Sequence, residues 1–133
     1  PEMTVKFVES GYANLQMSEQ KVRDLIGQYP QIRGILTTSA VTAMGLVDEL
    51  KDTVIKIAAV DEQEDSLKAV ENGQISALAA QSGYEIGYET IHYIQKLRDG
   101  KKPKKIYYLK ADILTQDNIK EYRRKDESQK YKK

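Results

Sequence analysis

The chain has 133 residues, 40% of them hydrophobic and 31% charged, with net charge +1 and no cysteine. That size fits one compact core and the composition is that of a globular domain; disulfides, thiol catalysis and thiolate metal sites are excluded. With His92 the lone histidine, a structural zinc site is excluded in practice as well.

Charge is unevenly spread: residues 1–95 hold 7 Lys and Arg against 14 Asp and Glu, whereas residues 96–133 hold 14 against 6. The basic end, with Arg123-Arg124-Lys125 and Lys130 among its last residues, reads as a solvated, flexible tail over 123–133 rather than a nucleic-acid surface. No apolar run approaches the length of a membrane helix, and Pro1-Glu2-Met3 opens a polar stretch unlike a signal peptide.

Val5 and Phe7, within TVKFVES, predict a short strand. A helix is expected from Ser18-Glu19-Gln20, with Val22, Leu25 and Ile26 on its apolar stripe, stopping at Tyr29-Pro30. Ile32–Leu36 is an apolar run, after which Ser39 or the preceding threonine can cap a helix that turns Val41, Met44 and Leu46 or Val47 inward. Val54–Val60 is almost continuously apolar, the pattern of a strand covered on both faces, and it stops at Asp61. Glu64–Asn72 predicts a short helix closed by Gly73, and Ile75–Ala80 a strand that stops at Gln81. Ser82-Gly83 then leads into a helix with Ile86, Thr90, Tyr93, Ile94 and Leu97 on one face, ended by Gly100. Ile106–Leu114 reads as a strand and Asn118–Tyr122 as a last short helix. Strands alternating with helices at this spacing predict an α/β fold built on a parallel sheet.

In such sheets ligands bind beyond the carboxyl ends of the strands. Here those ends carry Ser39, Asp61 and Gln81: a hydroxyl, a carboxylate and an amide on one edge, suited to a polyhydroxylated ligand. Each residue alone also fits a plainer role, since Ser39 can cap a helix and Asp61 can open a turn. Catalytic signals are weak. Gly83-Tyr84-Glu85-Ile86-Gly87 lacks the lysine and spacing of a phosphate loop, His92 has no fixed carboxylate partner, and Asp61-Glu62 and Glu64-Asp65 fit a solvated helix start. The chain is therefore expected to be neither an enzyme nor dependent on a cofactor or metal.

The runs ILTTSAVTAMGLVDEL and IKIAAVDEQEDSLKAVENGQISALAAQSGYEIGYETI resemble the second half of ribose- and galactose-type periplasmic solute-binding proteins, whose fold the effector core of lactose-type repressors shares. The resemblance covers residues 4–122. It rests on Ala43-Met44-Gly45, the strand ending in Asp61, Asn72-Gly73, the strand ending in Gln81, and Ile86-Gly87 in this order. It implies a three-layer α/β sandwich, the second lobe of a two-lobe sugar-binding protein. Residues 1–82 would form that lobe incompletely, 83–109 would supply a helix and strand to the first lobe, and 110–122 would be the closing strand and helix.

By the same resemblance Asp61 and Gln81 hold sugar hydroxyls, Tyr12 flanks the sugar, and Ser82 and Gly83 lie at a hinge. The family commonly has Asn-Asp where this chain has Ser39-Ala40, which leaves Ser39 a weaker contact. The implied role is monosaccharide capture outside the cytoplasm, with a membrane permease or a sensor kinase as partner. The effector core of a cytoplasmic repressor is the alternative, and a nucleic-acid module a distant third. The apolar stripe of the helix after Gly83 should be covered by folding back on residues 4–82, by a first lobe supplied separately, or by self-association.

Overall fold

The computed structural model describes residues 3–12 and 14–130, with side chains through Arg124. The elements are α1 (Leu15–Gln28), β1 (Gly34–Thr37), α2 (Ala40–Leu50), β2 (Lys56–Val60), α3 (Glu64–Glu71), β3 (Ala77–Ala80), α4 (Gly83–Arg98), β4 (Asp112–Leu114) and α5 (Ile119–Lys130). The sheet runs in the order β1-β2-β3-β4. Its first three strands are parallel, as the strand–helix alternation predicts, and β4 adds antiparallel to β3.

The register sorts the strand residues onto two faces. Thr37 lies beside Ala59, Ala59 beside Leu78, and Leu78 beside Leu114, so these four share one face. All four are buried. They meet a helical layer in which α1 packs on α2, α2 on α3, and α3 on α5. Leu46, Val70, Ile75, Leu78, Leu114 and Ile119 are fully buried at the centre of this single core. At roughly 25 cal/mol per Å² of apolar surface, this layer is what holds the sheet together.

The opposite face carries Leu36, Ala58 and Ala77 in one row and Val60, Ala79 and Ile113 in the next. It has no helical cover among the described residues: Leu36 is 72% and Ile113 58% exposed. β2 was expected to be covered on both faces, yet only Ile57 and Ala59 are buried. A sheet buried on one face alternates in burial even where both rows are apolar. The α/β class therefore stands, with helical cover on one face of the sheet among the described residues.

Local chemistry accounts for the shifted boundaries. α1 begins one turn before Ser18 because Asn14 is the cap, its side-chain oxygen accepting from the Met17 amide at 3.0 Å. Ser18 is instead buried inside the helix, its hydroxyl donating to the Asn14 carbonyl at 2.8 Å. Residues 5–7 form no strand. Phe7 packs on the Tyr29 ring, Lys21 pairs with Glu9, and Val5 stays exposed. The strand expected over 106–114 shortens to its last three residues, since only these reach the β3 edge. α5 continues through Lys130, so residues 123–130 are helical rather than a flexible tail; residues 131–133 lie outside the described residues.

Two glycines are required by the packing. A Cβ on Gly45 would stand 2.9 Å from Leu15, so this position in Ala43-Met44-Gly45 lets α1 approach α2. Gly73 follows α3 with φ +75, the left-handed stop expected from Asn72-Gly73.

Candidate functional site

The carboxyl edge of the three parallel strands brings Ser39, Asp61 and Gln81 to one rim. Thr37 pairs with Ala59 and Val60 with Ala79, so the residues just beyond each strand emerge side by side. Gln81 Nε2 donates to Asp61 Oδ1 at 3.3 Å, and both residues are exposed. The Asp61 amide donates to the Ala79 carbonyl at 3.1 Å, which carries the strand pairing one residue further.

Asp61 has φ +76. Among the described non-glycine residues only Asp61 and Tyr12, with φ +51, adopt positive φ. Such conformations are costly for residues with a side chain, and they collect where function over-determines the backbone. Both were singled out from the sequence as ligand contacts.

Ser39 is the N-cap residue of α2, but its side chain makes no capping bond. Its carbonyl accepts from Thr37 Oγ1 at 3.0 Å and from the Ala43 amide at 3.2 Å. The half-buried Ser39 hydroxyl is therefore not spent on capping. Tyr12 lies in the segment before α1, 73% exposed, its amide accepted by Ser10 Oγ at 3.3 Å. The structure thus joins Asp61 to Gln81 directly. It sets Ser39 on the same rim and links Tyr12 to neither by a hydrogen bond or ring contact.

A second layer braces the turn behind Asp61. Gln63 and Ser66 form a capping box at the start of α3, with Ser66 Oγ accepting from the Gln63 amide at 2.9 Å. The Glu62 carboxylate accepts from the Tyr122 hydroxyl on α5. Arg123 pairs with Glu64 at 2.7 Å and with Glu71 at 3.8 Å. Its guanidinium holds the Glu64 carboxyl below the usual carboxylate range. Sequence reading missed this tether, because it placed Arg123 in a solvated tail.

Ser82 caps α4, its hydroxyl accepting from the Glu85 amide at 3.2 Å, and Gly83 is the first helical residue without positive φ. α4 itself contains no buried residue. Ile86, Tyr93 and Ile94 line a groove of about 280 Å³ with Tyr107 and Leu109, and Tyr93 donates to the Lys104 carbonyl at 2.8 Å. None of Ser39, Asp61, Gln81 and Tyr12 lines this groove. His92 sits on the α4 surface, its ring against Tyr88. Among the described residues no three metal-ligating side chains cluster, and no helix is long and apolar enough to cross a membrane.

The family model described as a periplasmic binding protein domain matches residues 1–102. The chain belongs to that family. Its members are solute-binding proteins rather than enzymes. No curated protein matches the chain by sequence.

Among solved structures, it is similar to GanP, a glucose-galactose binding protein from Geobacillus stearothermophilus. That match has 18% identity and a TM-score of 0.75, over 83% of this chain and 41% of the other. It is similar to a sugar-binding protein of a sugar ABC transporter from Bacillus halodurans at 28% identity and a TM-score of 0.69, over 90% and 46%. A chain of the XylFII-LytSN complex matches at 25% identity and a TM-score of 0.68, over 82% and 40%. The chain thus spans less than half the length of these three structures.

Proposed function

We propose that the chain contributes one side of a sugar-binding cleft, holding a monosaccharide at the rim formed by Asp61, Gln81 and Ser39, with Tyr12 flanking the sugar. The observation that carries this reading is Asp61: an exposed carboxylate in a left-handed backbone conformation at the end of β2, hydrogen-bonded to Gln81 at the end of β3. An ionised carboxylate accepts from two adjacent hydroxyls while the amide donates and accepts, which is the chemistry a sugar demands. Family membership and the sugar-binding neighbours support the ligand class.

On this reading residues 1–82 belong to the second lobe, 83–109 reach toward the first, and 110–122 close the fold. Ser82 and Gly83 are the hinge, and the rim alone is half a cleft. The protein works outside the cytoplasm, delivering sugar to an ATP-driven permease or reporting it to a membrane sensor. A transporter neighbour supports uptake, and a neighbour known from a complex of two proteins supports sensing. The repressor-core alternative predicts DNA-linked output and a helix-turn-helix elsewhere in the same polypeptide.

The test is calorimetry of the full-length protein against a panel of aldohexoses and aldopentoses. Binding of one sugar that is weakened in both Asp61→Ala and Gln81→Ala, more in the first, is the expected result. Unchanged affinity in both variants overturns the assignment.

A further inference from the structure

The end of α4 and the loop after it carry a run of cations that the sugar rim does not use. Residues 96–110 hold seven Lys and Arg against the single acid Asp99. Lys101, Lys102, Lys104 and Lys105 surround Pro103 in that loop, and all four are exposed. Among the described residues no ion pair joins Lys96, Arg98 or any of these four to an acid. The loop is held by its backbone. Gly100, at φ +72, donates its amide to the Leu97 carbonyl at 3.0 Å, and the Lys101 amide donates to the Lys96 carbonyl at 2.9 Å. The Tyr93 hydroxyl donates to the Lys104 carbonyl at 2.8 Å and ties the far side of the loop back to α4. Bases in the last helical turn complement the helix dipole, which accounts for Lys96 and Arg98. That effect fades beyond the last turn, so it does not account for Lys102, Lys104 and Lys105. A lysine ammonium is not taken up by apolar packing, so the charge of this loop stands whatever covers the groove side of α4.

We infer that this loop docks on an anionic phospholipid bilayer. The type of cation favours that occupant. Lysine is a compact, strongly hydrated point charge without the planar fork that arginine offers a single carboxylate, so four lysines suit a diffuse negative surface. Clusters of about four to eight cations are what anionic headgroups hold. The placement agrees. The 16 residues of α4 rise about 24 Å, which separates the loop from Ser82 and from the rim where β3 ends. A bilayer bound at the loop therefore leaves Asp61 and Gln81 open to ligand. This rests on the reading above only for which membrane face is met, and neither Asp61 nor the sugar enters it.

Flotation of the full-length protein with extruded vesicles is the test, at about 0.1 M salt, where the screening length is roughly 10 Å. Vesicles of phosphatidylcholine alone are compared with an equimolar mixture of phosphatidylcholine and phosphatidylglycerol. Stronger binding to the mixed vesicles is expected. A hydrophobic anchor elsewhere in the polypeptide would hold both kinds alike, so the difference between them reads the charge. The variant Lys101→Gln/Lys102→Gln/Lys104→Gln/Lys105→Gln should bind the mixed vesicles about a hundredfold more weakly or less still, at roughly fivefold per lysine. Its melting midpoint and its sugar affinity should match wild type, which keeps this inference separable from the sugar assignment. Replacing the same four lysines with arginine should preserve vesicle binding. Equal binding to both vesicles, or binding to the mixed vesicles that survives the four glutamines, overturns the inference. Tighter binding of duplex DNA or of soluble polyglutamate than of the mixed vesicles overturns it as well, and assigns the loop to nucleic acid or to an acidic protein.

Discussion

Replacing Asp61 with glycine separates backbone strain from ligand contact, because the two effects have opposite signs. Asp61 sits at φ +76, where a residue with a Cβ is disfavoured by roughly 1–2 kcal/mol. Glycine adopts that conformation freely but loses about 0.5–1 kcal/mol to the entropy of its more flexible unfolded chain. The side-chain bond to Gln81 is 3.3 Å and solvent-exposed, so losing it subtracts only a few tenths of a kcal/mol. The balance is a stabilisation of about 0.5 kcal/mol, or a rise of one to two degrees in the melting midpoint for a domain of this size. Asp61→Ala keeps the strain and loses the bond, so it lies below wild type. Both variants forfeit a charged hydrogen bond to ligand, about 1.5–3 kcal/mol, which weakens sugar binding roughly 10- to 150-fold. Calorimetric melting paired with binding titration of the two variants reads both quantities. If Asp61→Gly is destabilised as much as Asp61→Ala, the positive φ stores no strain. If Asp61→Gly binds as wild type does, the carboxylate is not a contact.

The Arg123–Glu64 pair ties α5 to α3 and gives a pH signature. With its folded titration below the unfolded one, Glu64 contributes stability at neutral pH that is lost as pH falls through the folded-state value, so Glu64→Gln should flatten the acid limb of a plot of melting midpoint against pH. Gly73→Ala should cost about 1 kcal/mol or more in chemical denaturation, because the φ of +75 penalises a Cβ that would also stand 2.8 Å from Gln116 Nε2. Leu78→Ala removes a fully buried side chain from the centre of the single core and should cost about 2–5 kcal/mol by the same measurement. In the intact protein, structures with and without sugar should place the main backbone rotation within a few residues of Gly83, and rotation confined elsewhere refutes the hinge.

The elements legible in the sequence were those with a strong local signal. Gly73 and the Asp61 and Gln81 strand ends appear where local chemistry puts them, whereas the buried face of α2 runs through Ala40, Ala43, Leu46, Val47 and Leu50 and leaves Val41 and Met44 only partly buried. The misplaced elements depended on partners distant in sequence. Asn14 caps α1 where Ser18 was the expected start, and Ser18 is drawn inward by helix packing. The apolar run ending at Val60 matched a doubly covered strand, because sequence records which residues tolerate burial and not which layer arrives to bury them. β4 was overextended for a related reason: Ile106, Tyr107 and Leu109 are strand formers without an edge to join.

The tethered end of the chain bears on the site more than its composition suggested. Arg123 reads as one charge in a basic run, yet it lies between Glu64 and Glu71 on α3, one residue after Tyr122 reaches Glu62. Glu62 is the next residue after Asp61. The closing helix therefore holds the far side of the turn whose near side presents the candidate sugar contact. A flexible tail would leave that turn free to relax to negative φ and turn the carboxylate off the rim. Tyr122→Phe should consequently weaken sugar binding while leaving α5 helical, since Arg123 still anchors it. Titration calorimetry together with circular dichroism separates the two effects. Wild-type affinity in Tyr122→Phe would show that the Asp61 turn holds its shape without α5.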